Sequence, residues 1–177
     1  MTPAIDPRYP IGKFQAPATI GSAERAAFIA VIEAAAGEYR AAVAGLTDAQ
    51  LDTPYRDGGW TIRQVVHHVA DSHMNSFIRF KLALTEDTPT IKPYDEAAWA
   101  KLADSAMPVG ASLELTEAMH QRWAVLLRSM TEADYAKSFV HPEHGRQIRL
   151  DVALAIYAWH CGHHLAHITN LKQSRGW

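Results

Sequence analysis

Four histidines crowd into one short stretch, Trp159-His160-Cys161-Gly162-His163-His164-Leu165-Ala166-His167, in a chain that holds ten histidines in all. The stretch contains two His-x-x-x-His pairs, His160/His164 and His163/His167. Residues four apart lie on one face of a helix with Cβ atoms about 5–6 Å apart, so two imidazoles at that spacing can grip one cation. Far upstream, His67, His68 and His73 offer further nitrogen donors on another apolar segment. The residue types and spacing predict a divalent-metal site built between helices.

Which donors face inward follows from the helical wheel. The core stripe of the last helix reads Leu150, Leu154, Tyr157, Cys161, Leu165, Ile168 and Leu171. His164 falls beside that stripe and His160 on its edge, whereas His167 lies further off and His163 is expected to face solvent. His160/His164 is therefore the better inward clamp, and a third ligand must come from another helix. On the upstream segment, the stripe runs Ile62, Val65, Val66, Val69, His73, Phe77, Phe80. His73 sits at its centre, as a satisfied core histidine would. His67 and His68 flank it symmetrically, and periodicity does not choose between them.

The elements that must position these residues are helical. Residues 1–21 hold Pro3, Pro7, Pro10 and Pro17 and are expected to form an extended arm over the domain. An alanine-rich helix should run from Ser22 to about Leu46, with Ala27, Val31, Ala34, Ala35, Glu38 and Ala42 on one face. Thr47/Gln50 and Thr61/Gln64 have the spacing of capping boxes, the second opening a helix to about Leu84. A short helix is expected over Asp95 to Leu102, a long one capped by Ser112 to about Met130, and a last one from Leu150 to about Gln173. Residues 137–149, with Pro142 and Gly145, fit a small hairpin or a loop. Leu46-Thr47-Asp48-Ala49-Gln50-Leu51 echoes Met130-Thr131-Glu132-Ala133-Asp134-Tyr135. Each follows a long helix without ligand pairs and precedes one bearing histidines. Two such halves predict an all-α four-helix bundle with short extra helices, a single domain over residues 1–177.

Composition narrows the function. Apolar residues make up 48% and charged residues 20% of the chain, with a net charge of −2, so no basic field attracts nucleic acid or an anionic membrane. No apolar run is long enough to span a bilayer, no secretory signal is visible, and the single Cys161 excludes an internal disulfide. The expected location is cytoplasmic.

Longer strings resemble a known family. Thr53-Pro54-Tyr55-Arg56-Asp57-Gly58-Gly59-Trp60 through Val66-His67-His68-Val69-Ala70-Asp71-Ser72-His73 is similar to the YfiT group of the DinB superfamily. So are Arg79-Phe80-Lys81-Leu82, Pro93-Tyr94-Asp95-Glu96, Tyr9-Pro10-Ile11-Gly12 and the C-terminal histidine stretch. The resemblance covers essentially the whole chain. It implies a four-helix bundle with a metal site at one end. Its first ligand is the histidine eight residues after a tryptophan that opens the second helix, here Trp60 and hence His68. The other two come from the His-x-x-x-His of the last helix, here His160 and His164.

Three neutral imidazoles leave a divalent cation with open positions, as catalytic sites have. Zinc suits the donors, one ion per chain, and nickel is the alternative. No His-Glu-x-x-His motif supplies a general base, and nothing in the sequence aims Asp71 or Asp95 at the metal. A coordinated thiol is deprotonated by the cation itself, so a metal without a base suits a thiol nucleophile. The resemblance implies the same, since related enzymes include bacillithiol transferases. The expected activity is thus a thiol S-transferase acting on a small-molecule electrophile with a low-molecular-weight thiol. The alternatives are a metal-dependent hydrolase using a metal-bound hydroxide, as the YfiT group is provisionally described, and a non-enzymatic metal-binding bundle. Cys161 reads as a buried structural thiol, and Trp60, Trp99, Trp123 and Trp159 as packing residues. Arg56, Arg63, Arg79 and Lys81 read as solvated helix charges, with reception of a carboxylated thiol cofactor near the site as the alternative. Resemblance to dimeric bundles implies a homodimer.

Overall fold

A computed structural model describes residues 6–143 and 145–177, so the first five residues of the expected arm lie outside the described residues. Four long helices, α1 (Ser22–Val43), α3 (Ile62–Thr85), α5 (Gly110–Ser129) and α7 (Leu150–Arg175), form a four-helix bundle. The short helices are α2 (Asp48–Leu51), α4 (Glu96–Trp99) and α6 (Glu132–Ala136), with a 3-10 turn at Ala103–Ala106. An antiparallel hairpin, β1 (Ser138–His141) with β2 (Arg146–Arg149), precedes α7 and pairs Ser138 with Arg149 and His141 with Arg146. The helices pack in a ring: α1 touches α5 and α7, and α3 touches the same two from the other side. The histidine-bearing helices α3 and α7 are therefore direct neighbours. No helix of the described residues is long and apolar enough to cross a membrane.

The internal echo is structural. Thr47 caps α2, Thr61 caps α3 and Thr131 caps α6, each in a reciprocal capping box with the residue three positions on. These boxes satisfy amide donors that a helix start otherwise leaves unpaired, which is why the chain turns sharply there. At the other end of α7, Gly176 adopts φ +70°, a left-handed conformation that closes the helix at little cost only for glycine.

Two helical expectations need correction. α5 begins at Gly110, after Val109 without a side-chain cap; Ser112 lies inside the first turn, and its hydroxyl pairs with His67 Nδ1 at 2.7 Å. The ring nitrogen outcompetes the backbone for that hydroxyl because both side chains meet where α3 packs on α5. In α1 the buried face is Arg25, Ile29, Ile32, Ala35, Ala36, Tyr39, Ala42 and Val43; Ala35 and Ala42 lie on it as expected, whereas Ala27, Ala34 and Glu38 are exposed and Val31 is 39% exposed. Alanines fit on any face, so the bulky Ile29, Ile32 and Tyr39 decide the rotation of this helix.

The core is built around Trp123, Tyr39, Phe80, Ile32, Ile62, Leu127, Leu150, Leu154 and Ile168, all essentially without solvent contact. Tyr39 donates its hydroxyl to the Cys161 carbonyl at 2.7 Å, tying α1 to the middle of α7. Buried arginines paired with exposed carboxylates lock the bundle ends. Arg63 holds Asp52 at 2.6 Å and Asp48 at 2.8 Å, and Arg25 pairs with Glu132. Described residues of the arm fold back on α7: Phe14 meets Trp159 edge-on, and Ile11 approaches Gly162.

Candidate metal centre

The structure brings His68 of α3 together with His160 and His164 of α7. Donor nitrogens of the three rings lie within 4.8 Å of one another, and their ring centroids are 4.4–5.4 Å apart. Zinc–imidazole bonds of about 2.0–2.1 Å lie within reach of small side-chain rotations from that arrangement. Burial pushes the His68 pKa down to about 4, with the neighbouring histidines adding to the effect. His160 and His164 are held well below the usual histidine value for the same reasons. All three are therefore neutral, the form that ligates a cation. The donor set fits a divalent ion such as zinc.

His67, which periodicity left equivalent to His68, is occupied elsewhere. Its Nδ1 pairs with Ser112 Oγ at 2.7 Å and its Nε2 donates to the Met107 carbonyl at 3.0 Å. Neither nitrogen is available to the trio.

Behind the trio stands a chain of buried imidazoles. His73 Nε2 lies 3.0 Å from His160 Nδ1, and His73 Nδ1 lies 2.8 Å from His120 Nε2. A neutral imidazole has one donor and one acceptor, so the tautomers along the chain are coupled. With His160 Nε2 left for a cation, its Nδ1–H donates to His73, and His73 Nδ1–H donates to His120. His120 then carries its proton on Nδ1, on the side of the Ile32 carbonyl, though without a well-formed hydrogen bond there. Hydrogen-bonded partners of this kind fix the orientation and tautomer of a metal-binding histidine. His73 is thus a core histidine, as expected, but one aimed at His160. His120 was not singled out by its sequence position; its signal was the same apolar face as Met119 and Trp123.

His163 and His167 require correction. Both are buried: His163, which was expected to face solvent, and His167, which the wheel set further off the core stripe. His163 stacks on Trp159 at 4.4 Å with Tyr9 of the arm 6.3 Å away, and His167 stacks on Tyr55 at 4.0 Å. The covering chain comes from the arm and from the loop before α3, which no wheel of α7 alone can include. In that loop Gly58 has φ +65° and a Cβ on Gly59 would meet Arg56 Cγ at 2.7 Å, so the turn is tight, and it sets Tyr55 against His167 and Trp60 against His68. His163, His164 and His167 form a second trio with donors within 4.8 Å. It shares His164, whose Nδ1 lies 3.4 Å from His167 Nδ1. Holding ions in both trios at once would require His164 to lose its only ring proton, so a neutral His164 serves one trio at a time.

The first trio opens into a cavity of about 340 Å³ lined also by Trp60, Ser72, Arg79, Tyr94, Glu96 and Tyr157. Trp60 packs against His68 at 4.5 Å, so it forms a wall of the site rather than filling the core. Tyr157 donates to the Ser72 carbonyl at 3.2 Å, and burial pushes the Tyr94 pKa up to about 12, so its hydroxyl keeps its proton. Of the residues weighed in sequence, Arg63 and Arg79 are buried, contrary to their reading as solvated charges, because each lies where a helix is overlaid by a later segment. Lys81 is exposed over the Phe77 ring, and Arg56 sits over Tyr55. Asp95 accepts the Ala98 amide at 2.9 Å as the cap of α4, and Asp71 is outside the cavity lining. Cys161 is buried in the core, and burial raises its thiol pKa, which keeps it protonated. Glu96, Tyr94, Ser72 and Tyr157 were not recognised as cavity residues, since they meet only when α4 folds over α3 and α7.

The chain belongs to the DinB superfamily, whose model matches residues 32–168. It is 51% identical over 176 residues to YfiT of Bacillus subtilis (strain 168), covering 98% of each chain; that relative's name assigns it provisionally to the metal-dependent hydrolases. A Geobacillus thermodenitrificans (strain NG80-2) protein with the same provisional name is 53% identical over 176 residues, again with 98% of each chain covered. The solved structure of YfiT from Bacillus subtilis superposes with a TM-score of 0.94 at 50% identity, over 97% of this chain and 98% of that one. A mycothiol-dependent maleylpyruvate isomerase shares the fold at a TM-score of 0.63 and 19% identity, over 81% of this chain and 60% of the isomerase.

Proposed function

We propose that the protein is a divalent-metal-dependent enzyme in which His68, His160 and His164 hold the ion, and that it transfers a low-molecular-weight thiol to a small electrophile. Zinc is the ion this donor set suits, with nickel as the alternative. When bound, such a cation lowers the pKa of a coordinated thiol or water. The observation that carries the thiol reading is the lining of the cavity. Besides the histidines it holds hydroxyls, an arginine, an indole and one exposed carboxylate, Glu96, with no buried carboxylate among the described lining residues. A thiol needs none, because its ionisation is supplied by the cation. Trp60 walls one side of the trio, and Tyr94, Tyr157 and Ser72 offer hydroxyl donors to a developing negative charge or leaving group. The same fold serves a mycothiol-dependent enzyme, so it accommodates thiol chemistry.

Glu96 favours a second reading. It lines the cavity as an exposed carboxylate, where it could take a proton from water, and the similar relatives are provisionally named hydrolases. Conjugation of a small thiol to a haloaromatic or epoxide by the zinc-loaded protein separates the two. The thiol reading expects metal-dependent conjugation that survives Glu96→Gln. Metal-dependent ester or amide hydrolysis with no thiol present, abolished by Glu96→Gln and accompanied by no conjugation, overturns it.

A further inference from the structure

The arginines of this chain are handled in two ways. Arg63, 6% exposed, is met by Asp48 and Asp52, and Arg25, 7% exposed, is met by Glu132. Arg79 is just as enclosed at 9% exposure, yet among the described residues no carboxylate pairs with it. Its one hydrogen bond is a long contact of 3.4 Å from Nη2 to the Lys92 carbonyl. A guanidinium carries five N–H donors and does not lose its charge, so most of its bonding capacity is unused. Its nitrogens are not among the fully buried polar atoms that lack a partner, so its free N–H groups face the cavity, open to water or to a ligand. Arg79 lines the same cavity as His68, His160 and His164, with Tyr94, Ser72, Tyr157 and the exposed carboxylate of Glu96 also on its wall.

We propose that Arg79 is the anion-receiving residue of this cavity, binding a carboxylate on the substrate or thiol while the ligand's reactive end faces the three histidines. A carboxylate matches the site because one planar fork accepts its two oxygens in parallel. Among the described residues no second lysine or arginine lines the cavity to meet the additional charge of a phosphate dianion. The preferred ligand is thus a short bifunctional molecule with a soft or polar metal-binding group at one end and a carboxylate at the other. The inference rests on the cavity being the reactive site, as proposed above, but not on which nucleophile is used there.

Hydroxamates anchor on a metal whichever nucleophile the enzyme employs, so they isolate the contribution of Arg79. Calorimetric titration of the zinc-loaded protein with succinic monohydroxamate and with its methyl ester reads the carboxylate preference directly. The acid should bind about tenfold or more tightly than the ester, the scale of a charge-assisted bond. Arg79→Gln should erase that preference and leave ester binding unchanged, and Arg79→Lys should keep part of it. Equal binding of acid and ester to the unaltered protein, or a preference that survives Arg79→Gln, overturns the inference without touching the thiol reading. The comparison in the unaltered protein decides even if the variants fold poorly. Binding of neither probe overturns both proposals, since the cavity then takes no metal-anchored ligand. A preference for the acid together with no thiol conjugation retains the role of Arg79 and rejects the transferase.

Discussion

Acidification should unfold the metal-free protein through its buried histidines. His68 and His120 each have a pKa lowered by burial to about 4, against roughly 6.5 in the unfolded chain. Between those values the unfolded state binds more protons than the folded state, so stability rises with pH and falls on acidification. The contribution is fully present above about pH 6.5 and lost as pH falls towards 4. At pH 5 the linkage relation gives a loss of about 2 kcal/mol for each of the two groups, or about 4 kcal/mol together. His73, His160 and His164 shift in the same direction and add to the loss. A domain of this size holds only about 5–15 kcal/mol in total, so the effect is large. Urea unfolding of the chelator-treated protein, followed by circular dichroism at about pH 7.5 and 5.0, measures it. A urea midpoint that stays constant across this range would refute the reasoning, because it would mean that the imidazoles are hydrated in the folded state.

Alanine at His68, His160 or His164 should each abolish stoichiometric zinc in elemental analysis, while His163→Ala, which removes a ring packed on Trp159, should retain it. Stoichiometric zinc in His68→Ala would reject that ligand set. His73→Phe removes the partner of His160 Nδ1 and should weaken zinc about 10- to 100-fold in a competition titration with a chromogenic chelator. Unchanged affinity in a folded His73→Phe protein would show that the imidazole chain does not orient His160.

Local patterns carried the bundle. The capping boxes at Thr47 and Thr61 are written in adjacent residues, and the internal echo marks the chain reversals. The spacing of His160 and His164 places them on one helical face whatever else the chain does, because the period of an α-helix is a local property. Such patterns were weaker in α1, where many alanines left the inward face undetermined until Ile29, Ile32 and Tyr39 found the core.

What tertiary structure decided was everything that depends on a second segment arriving. His67 and His68 are indistinguishable by period, and they separate only because Ser112 and the Met107 carbonyl capture His67 as α5 packs on α3. His163 and His167 are buried by the arm and by Tyr55, from segments remote in sequence. The chain from His160 through His73 to His120 joins three helices, and Arg79 meets the histidine cavity only when residues from α3, α7 and the start of α4 close around it. A helical period reports which face of one element is apolar. It contains no term for what covers that face, and burial, tautomer and unpaired charge are all set by the cover.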